Sequence, residues 1–221
     1  MCLDPYSGRA LRRDSGFPIP SDDPGSSVVL DKSDSESAMK ELVIGGTRSG
    51  KSAYAENRAA QSARSVVYFA TATAGDAEME RRIAQHRSRR PSHWGLVEEP
   101  VRLAAALQAQ ATPDRCLIVD CLTLWLTNVL CAGNDPRAPA DAFRVNHALL
   151  ARERDQLLAV LPELPGSIIL VSSEVGMGIM PMGELTRVFS DEAGLLNQAV
   201  AAICHQVTLV VAGLPHLLKQ P

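Results

Sequence analysis

The chain has 221 residues, 46% of them hydrophobic, and a formal net charge of -3 at pH 7. That length and apolar share are enough for one sizeable packed domain, with or without a tail. The weakly acidic balance and the lack of a basic run exclude a general nucleic-acid binder, so small molecules are the expected partners.

No apolar stretch reaches membrane-spanning length, and the N-terminus lacks the basic-then-apolar order of a secretion signal. The cysteines Cys2, Cys116, Cys121, Cys131 and Cys204 form no C-x-x-C pair. Cys116 and Cys204 lie in or beside apolar runs. They read as reduced core thiols of a cytoplasmic protein, with no structural metal.

Residues 1–38 differ from everything that follows. Pro5, Pro18, Pro20 and Pro24 punctuate a polar stretch containing Ser21-Asp22-Asp23 and Asp31-Lys32-Ser33-Asp34. Such composition buries too little surface to offset the entropy of ordering, so a disordered N-terminal extension is expected. Met39-Lys40-Glu41-Leu42-Val43-Ile44 reads like the natural beginning of a chain, which makes 39–221 the folded domain.

From Glu41 onwards, apolar runs of strand length alternate with helical patterns. The runs fall at 42–44, 66–70, 116–119, 168–171 and 207–212, and their continuous Val/Ile/Leu character predicts strands covered on both faces. Helices are predicted at 52–63, 75–89, 101–110, 122–130, 141–161 and 185–204. The expected class is α/β with a mostly parallel sheet.

The first run leads into Gly45-Gly46-Thr47-Arg48-Ser49-Gly50-Lys51-Ser52, the pattern G-x-x-x-x-G-K-S. Gly45 and Gly50 permit backbone angles that turn successive N–H groups inward. Lys51 brings a point charge for the β- and γ-phosphates, and the Ser52 hydroxyl can ligate Mg²⁺. A strand before it and a helix after it supply the context that separates a phosphate cradle from an ordinary glycine-rich turn.

In a parallel sheet, ligands sit beyond the C-terminal strand ends. After the second run, Ala70-Thr71-Ala72-Thr73 either lines a nucleotide or caps the next helix. Asp120 closes the third run, where it either holds Mg²⁺ or caps the helix that follows. Glu174-Val175-Gly176-Met177-Gly178 follows the fourth run as a candidate substrate-side loop.

Met79, Ile83 and His86 share one face of a predicted helix, and Arg87, Ser88, Arg89 and Arg90 follow. His86 is either a polar residue at the edge of a core stripe or a nucleophile. The arginines favour a place where phosphates are held, and nearby positive charge keeps the imidazole neutral and nucleophilic.

These residues resemble the bifunctional adenosylcobinamide kinase / adenosylcobinamide-phosphate guanylyltransferases of adenosylcobalamin biosynthesis. The likeness runs through the cradle, Ile83-Ala84-Gln85-His86-Arg87 and Arg90-Pro91-Ser92-His93-Trp94. It continues in Asp120-Cys121-Leu122-Thr123-Leu124-Trp125-Leu126-Thr127-Asn128 and Glu174-Val175-Gly176-Met177-Gly178-Ile179. Asn197-Gln198 and Val211-Ala212-Gly213-Leu214-Pro215 complete it. Gln85 stands where many members carry a second histidine.

The resemblance implies a P-loop NTPase of RecA-like fold, assembled as a homotrimer, that uses Mg²⁺ and binds a corrinoid. It implies phosphorylation of adenosylcobinamide by ATP or GTP, followed by GMP transfer through a covalent GMP–histidine to give adenosylcobinamide-GDP. The family's guanylylated histidine falls on His86. Its nucleotide contacts fall on Gly45, Gly46, Thr47, Arg48, Ser49, Gly50, Lys51, Ser52, Ala70, Thr71, Ala72, Arg87, Ser88, Arg89, Arg90, Glu98 and Asp120. The alternatives are a monofunctional P-loop kinase of a small alcohol and a nucleotide-dependent regulatory switch. Neither needs a nucleophilic histidine beside clustered arginines.

Overall fold

The computed structural model describes residues 38–73, 80–81, 90–135, 143–178 and 183–221. The proposed extension up to residue 37 lies outside them, as do His86, Arg87, Ser88 and Arg89 and most of the helix predicted at 75–89.

In chain order the elements are β1 (Lys40–Gly45), α1 (Lys51–Gln61), β2 (Ser65–Ala70), β3 (Gly95–Glu98), α2 (Leu103–Gln110) and β4 (Arg115–Asp120). Then come α3 (Leu122–Cys131), α4 (His147–Val160), a 3-10 turn (Leu161–Glu163), β5 (Ser167–Ser173), α5 (Glu184–Ile203), β6 (Gln206–Val211) and β7 (Leu214–Lys219). They build one seven-stranded sheet in the order β3-β2-β4-β5-β1-β6-β7. Every pairing is parallel except β6 with β7. The α/β class with a mostly parallel sheet is the fold observed. β5 lies between the cradle strand β1 and β4, which carries Asp120.

The continuous apolar runs are explained by burial on both faces. In β4, Leu117 and Val119 join a core cluster built with α2, α3, α4 and α5. The alternate residues Cys116 and Ile118 join a second cluster against Ala55 and Ala59 of α1. Cys116, Cys121 and Cys204 are buried free thiols, as expected.

Two strands escaped the sequence reading. β3 is short and mostly exposed, and every residue of β7 is exposed. Edge strands do not need the two-sided apolar run that marks a central strand, and an edge also tolerates Pro215. The long helix predicted from residue 141 begins at His147, because Asn146 caps it by accepting from the Leu149 N–H at 3.0 Å.

Opposite the cradle, a buried carboxylate ties α1 to the sheet. Glu41 is 2% exposed. Its Oε1 accepts from the Tyr54 hydroxyl (3.3 Å), Gln206 Nε2 (2.9 Å) and the Thr208 hydroxyl (2.9 Å), and its Oε2 accepts from Arg58 Nε (3.2 Å). Donors from α1 and β6 thus converge on β1 and fix the helix behind the loop it follows. Truncating Glu41 removes the acceptor all four share and leaves Gln206 Nε2 with the Thr208 hydroxyl at 3.2 Å. Glu41→Ala should cost about 3 kcal/mol, at the low end for a buried pair because Arg58 keeps partial access to water. Urea denaturation measures it, and a loss below about 1 kcal/mol would refute the tie.

Candidate functional site

The cradle connects the end of β1 to the first turn of α1. Gly50 has φ 96° and Arg48 φ 57°, so left-handed residues turn the loop back over its own amides. The first helical bond runs from Tyr54 N–H to Gly50 O at 2.9 Å. Gly46, Thr47 and Arg48 are exposed, Ser49 is buried, and Lys51 and Ser52 are half-buried. Lys51 Nζ donates to Gly46 O at 3.1 Å, which keeps the ammonium over the loop.

The loop is braced from two sides. A Cβ on Gly45 would collide with Val210 O and stand 2.6 Å from Ser49 Oγ. A Cβ on Gly50 would stand 3.1 Å from the Gly213 Cα. Gly213 N–H also donates to Ser49 O at 2.8 Å. Ala212 (φ 52°) and Gly213 (φ 82°) form the two-residue turn joining β6 to β7, and both need the left-handed region. From the other side, Glu174 N–H donates to Gly45 O at 3.1 Å. The turn at Ala212 and Gly213 thus gains a role its sequence did not reveal: it backs the cradle.

Beside the cradle, register aligns three of the expected contacts. Ala70 of β2 faces Glu98 of β3 on one side and Asp120 of β4 on the other, so all three lie along the C-terminal edge. The N-cap of α3 is Cys121, and the Asp120 carboxylate accepts from the Tyr68 hydroxyl at 2.7 Å. Burial first, then the Asp120 charge and this hydrogen bond, push the Tyr68 phenol far above its ordinary pKa, so it stays a donor. The Arg90 guanidinium carbon stands 4.1 Å from the centroid of the Tyr68 ring.

The Thr71 side chain turns inward. It is fully buried; its hydroxyl donates to Cys121 O (2.8 Å) and accepts from Cys121 N–H (2.9 Å). Its carbonyl accepts from Asn128 Nδ2 (2.7 Å), which also donates to Pro100 O (3.2 Å). The Thr71 side chain is thus committed to the fold, where it locks the exit of β2 to the exit of β4. Ala72 beside it is half-buried.

Ser52 and Asp120 are the residues expected to hold Mg²⁺. A hydroxyl and a carboxylate are the hard oxygen donors this ion prefers. Among the described residues no group of three or more His, Cys, Asp or Glu side chains could hold a metal ion.

Sequence reasoning gave no role to Tyr68, Gly213 or Asn197, whose Nδ2 donates to Ser173 O at 3.3 Å behind the cradle. The only signal for Tyr68 was a phenol inside an apolar run, which needs a partner once buried. Gly45→Ala should weaken nucleotide binding more than tenfold, since the Val210 carbonyl cannot yield without moving β6. Titration with a fluorescent GTP analogue measures this, and wild-type affinity in that variant would disprove the brace.

The family model described as cobinamide kinase / cobinamide phosphate guanyltransferase matches residues 41–218. Bifunctional adenosylcobalamin biosynthesis protein CobP of Pseudomonas aeruginosa is 55% identical over 181 residues, covering 82% of this chain and 98% of that protein. The proteins named CobU of Escherichia coli and Salmonella typhimurium are 38% and 39% identical, each covering 82% of this chain and matched over 100% of its own length. The family match starts at the second residue of β1 and ends at the penultimate residue of β7, so it takes in the cradle, its brace and the strand ends around them. On that extent of agreement, the chain belongs to the cobinamide kinase / cobinamide phosphate guanyltransferase family.

Proposed function

We propose that this protein carries out two successive transfers in adenosylcobalamin biosynthesis. The first moves the γ-phosphate of ATP or GTP to the aminopropanol hydroxyl of adenosylcobinamide. The second moves GMP from GTP, through His86, to the new phosphate, and yields adenosylcobinamide-GDP. The observation that carries the reading is the braced cradle between β1 and α1, with Ala70, Glu98 and Asp120 aligned beside it.

In the first transfer, the loop amides from Gly45 to Ser52 hold the phosphates and Lys51 offsets the charge that develops on them. Phosphoryl transfer is mostly positioning and electrostatics, and a preformed loop supplies both. Mg²⁺, when bound, adds charge neutralisation at the β- and γ-phosphates, and Ser52 and Asp120 would hold it.

In the second transfer, a His86 ring nitrogen attacks the α-phosphorus of GTP. An N–P bond forms, the bond to the bridging oxygen breaks, and pyrophosphate leaves. The phosphate of adenosylcobinamide phosphate then attacks that phosphorus, which breaks the N–P bond and frees the imidazole. Splitting one displacement in two is the usual gain of a covalent nucleophile. Arg87, Ser88, Arg89 and Arg90 hold the nucleotide phosphates through their guanidinium and hydroxyl groups. The place of Arg90 over Tyr68, which holds Asp120, supports a part for Arg90 in holding the nucleotide.

Residues 1–38 are dispensable on this reading, since the family match begins at residue 41. The working form is a cytoplasmic homotrimer; exposed Val211, Leu214 and Leu218 on the β6–β7 hairpin support assembly. Among the described residues no helix is long and apolar enough to cross a membrane.

Incubation with α-labelled GTP should give a protein label that is acid-labile and base-stable. His86→Asn should abolish the label and spare cobinamide phosphorylation, while Lys51→Ala should lower both reactions at least about tenfold. Label persisting in His86→Asn would move the nucleophile elsewhere. No label in the wild type would favour a plain kinase. A protein lacking residues 1–38 should keep both activities and sediment as a trimer; a large loss of turnover would show that the extension takes part.

A further inference from the structure

We infer that Tyr68 is a positioning residue that joins the two halves of the site, holding the Asp120 carboxylate with its hydroxyl and seating Arg90 on its ring. The inference rests on the nucleotide roles proposed for Asp120 and Arg90. It goes beyond them by naming the group that sets both side chains at once.

Tyr68 lies on the α1 face of the sheet and is 3% exposed. A phenylalanine would suit such a place better unless the hydroxyl had a use, because burying an unpaired hydroxyl is costly. The hydroxyl donates at 2.7 Å to the carboxylate at the end of the neighbouring strand. Register makes the reach natural. Tyr68 faces Ile118 across the β2–β4 pairing and Ala70 faces Asp120, so the phenol spans two residues towards the C-terminal edge. Held there, the carboxylate is fixed in rotation before any ligand arrives.

The ring does a second task. Arg90 stacks at 4.1 Å from its centroid, and stacking uses the face of the guanidinium. Phosphate is recognised by the guanidinium edge, so a stacked Arg90 is oriented for that contact. One rigid side chain therefore sets the geometry of an acidic group from β4 and of the basic residue that closes the His86 block.

Two variants separate the tasks. Tyr68→Phe keeps the ring and removes the hydroxyl; Tyr68→Leu removes both. Tyr54→Phe is the matched control, because it also deletes a phenol bonded to a buried carboxylate, Glu41, at the opposite end of the sheet. The readouts are affinity for a fluorescent GTP analogue in Mg²⁺ and in EDTA, the rate of GMP labelling, and Tm.

Tyr68→Phe should shrink the Mg²⁺-dependent gain in affinity by about tenfold, the scale of a lost hydrogen bond to a charged group, and leave affinity in EDTA unchanged. Tyr68→Leu should also weaken binding in EDTA and slow labelling about tenfold or more, through loss of the Arg90 seat. Tyr54→Phe should lower Tm alone. The inference fails if Tyr68→Phe keeps the full Mg²⁺ dependence, if wild-type binding shows none, or if the Tyr68 variants change only Tm. If Tyr68→Leu does not fold, Tyr68→Phe decides the matter. Absence of GMP labelling in the wild type would refute the guanylyl-transfer reading instead, and the binding measurements would still judge Tyr68.

Discussion

There is no room for a side-chain carbon between Gly45 and the Val210 carbonyl, and the rest of the site depends on that closeness. Because β6 pairs directly with β1, its last turn comes round behind the loop and meets it backbone to backbone. A loop pressed against a strand on one side and bonded to the exit of β5 on the other has little freedom left. Its amides hold a fixed direction before any phosphate arrives, so less ordering entropy is lost on binding.

The neighbouring strand ends are fixed by other means. Thr71 and Asn128 fasten the exits of β2 and β4 to each other and to the stretch leading into α2. The Glu99 carboxylate completes that corner, since its Oε1 accepts from the Val101 and Arg102 amides at 2.9 and 2.8 Å. Thr71 is buried, Asn128 and Glu99 are half-buried, and all three are paired, which stiffens the edge. The proposed nucleotide surface consists of the cradle, the residues in register beside it, and Arg90 above Tyr68. Rigidity and recognition are divided between adjacent residues.

Much of this was legible in the chain. Central strands of a parallel sheet must be apolar on both faces, so all five expected runs are strands; four extend past their apolar part, and the fifth, expected at 207–212, ends at Val211 because Ala212 enters the turn. The cradle was legible because phosphate binding demands glycines, a lysine and a hydroxyl at set spacing. Edge strands were not, because β3 and β7 carry no comparable constraint. Thr71 was read as lining a nucleotide or capping the next helix; that its hydroxyl turns inward to Cys121 is a matter of burial, and burial is a property of the whole fold. The Glu41 cluster was equally hidden, since its donors come from residues as far apart as Tyr54 and Thr208.

By itself, then, the sequence determined the fold class, the phosphate-binding loop and the family resemblance. All three rest on local periodicity or on short collinear motifs that physical chemistry ties to one use. Tertiary structure alone decided that the turn at Ala212 and Gly213 backs the cradle, that Thr71 is a lock, and that Tyr68 stands between Asp120 and Arg90. Those relations join residues distant in the chain, and strand order and register bring them together. A motif names the groups that touch phosphate; the packing of the sheet determines which other groups hold them in place.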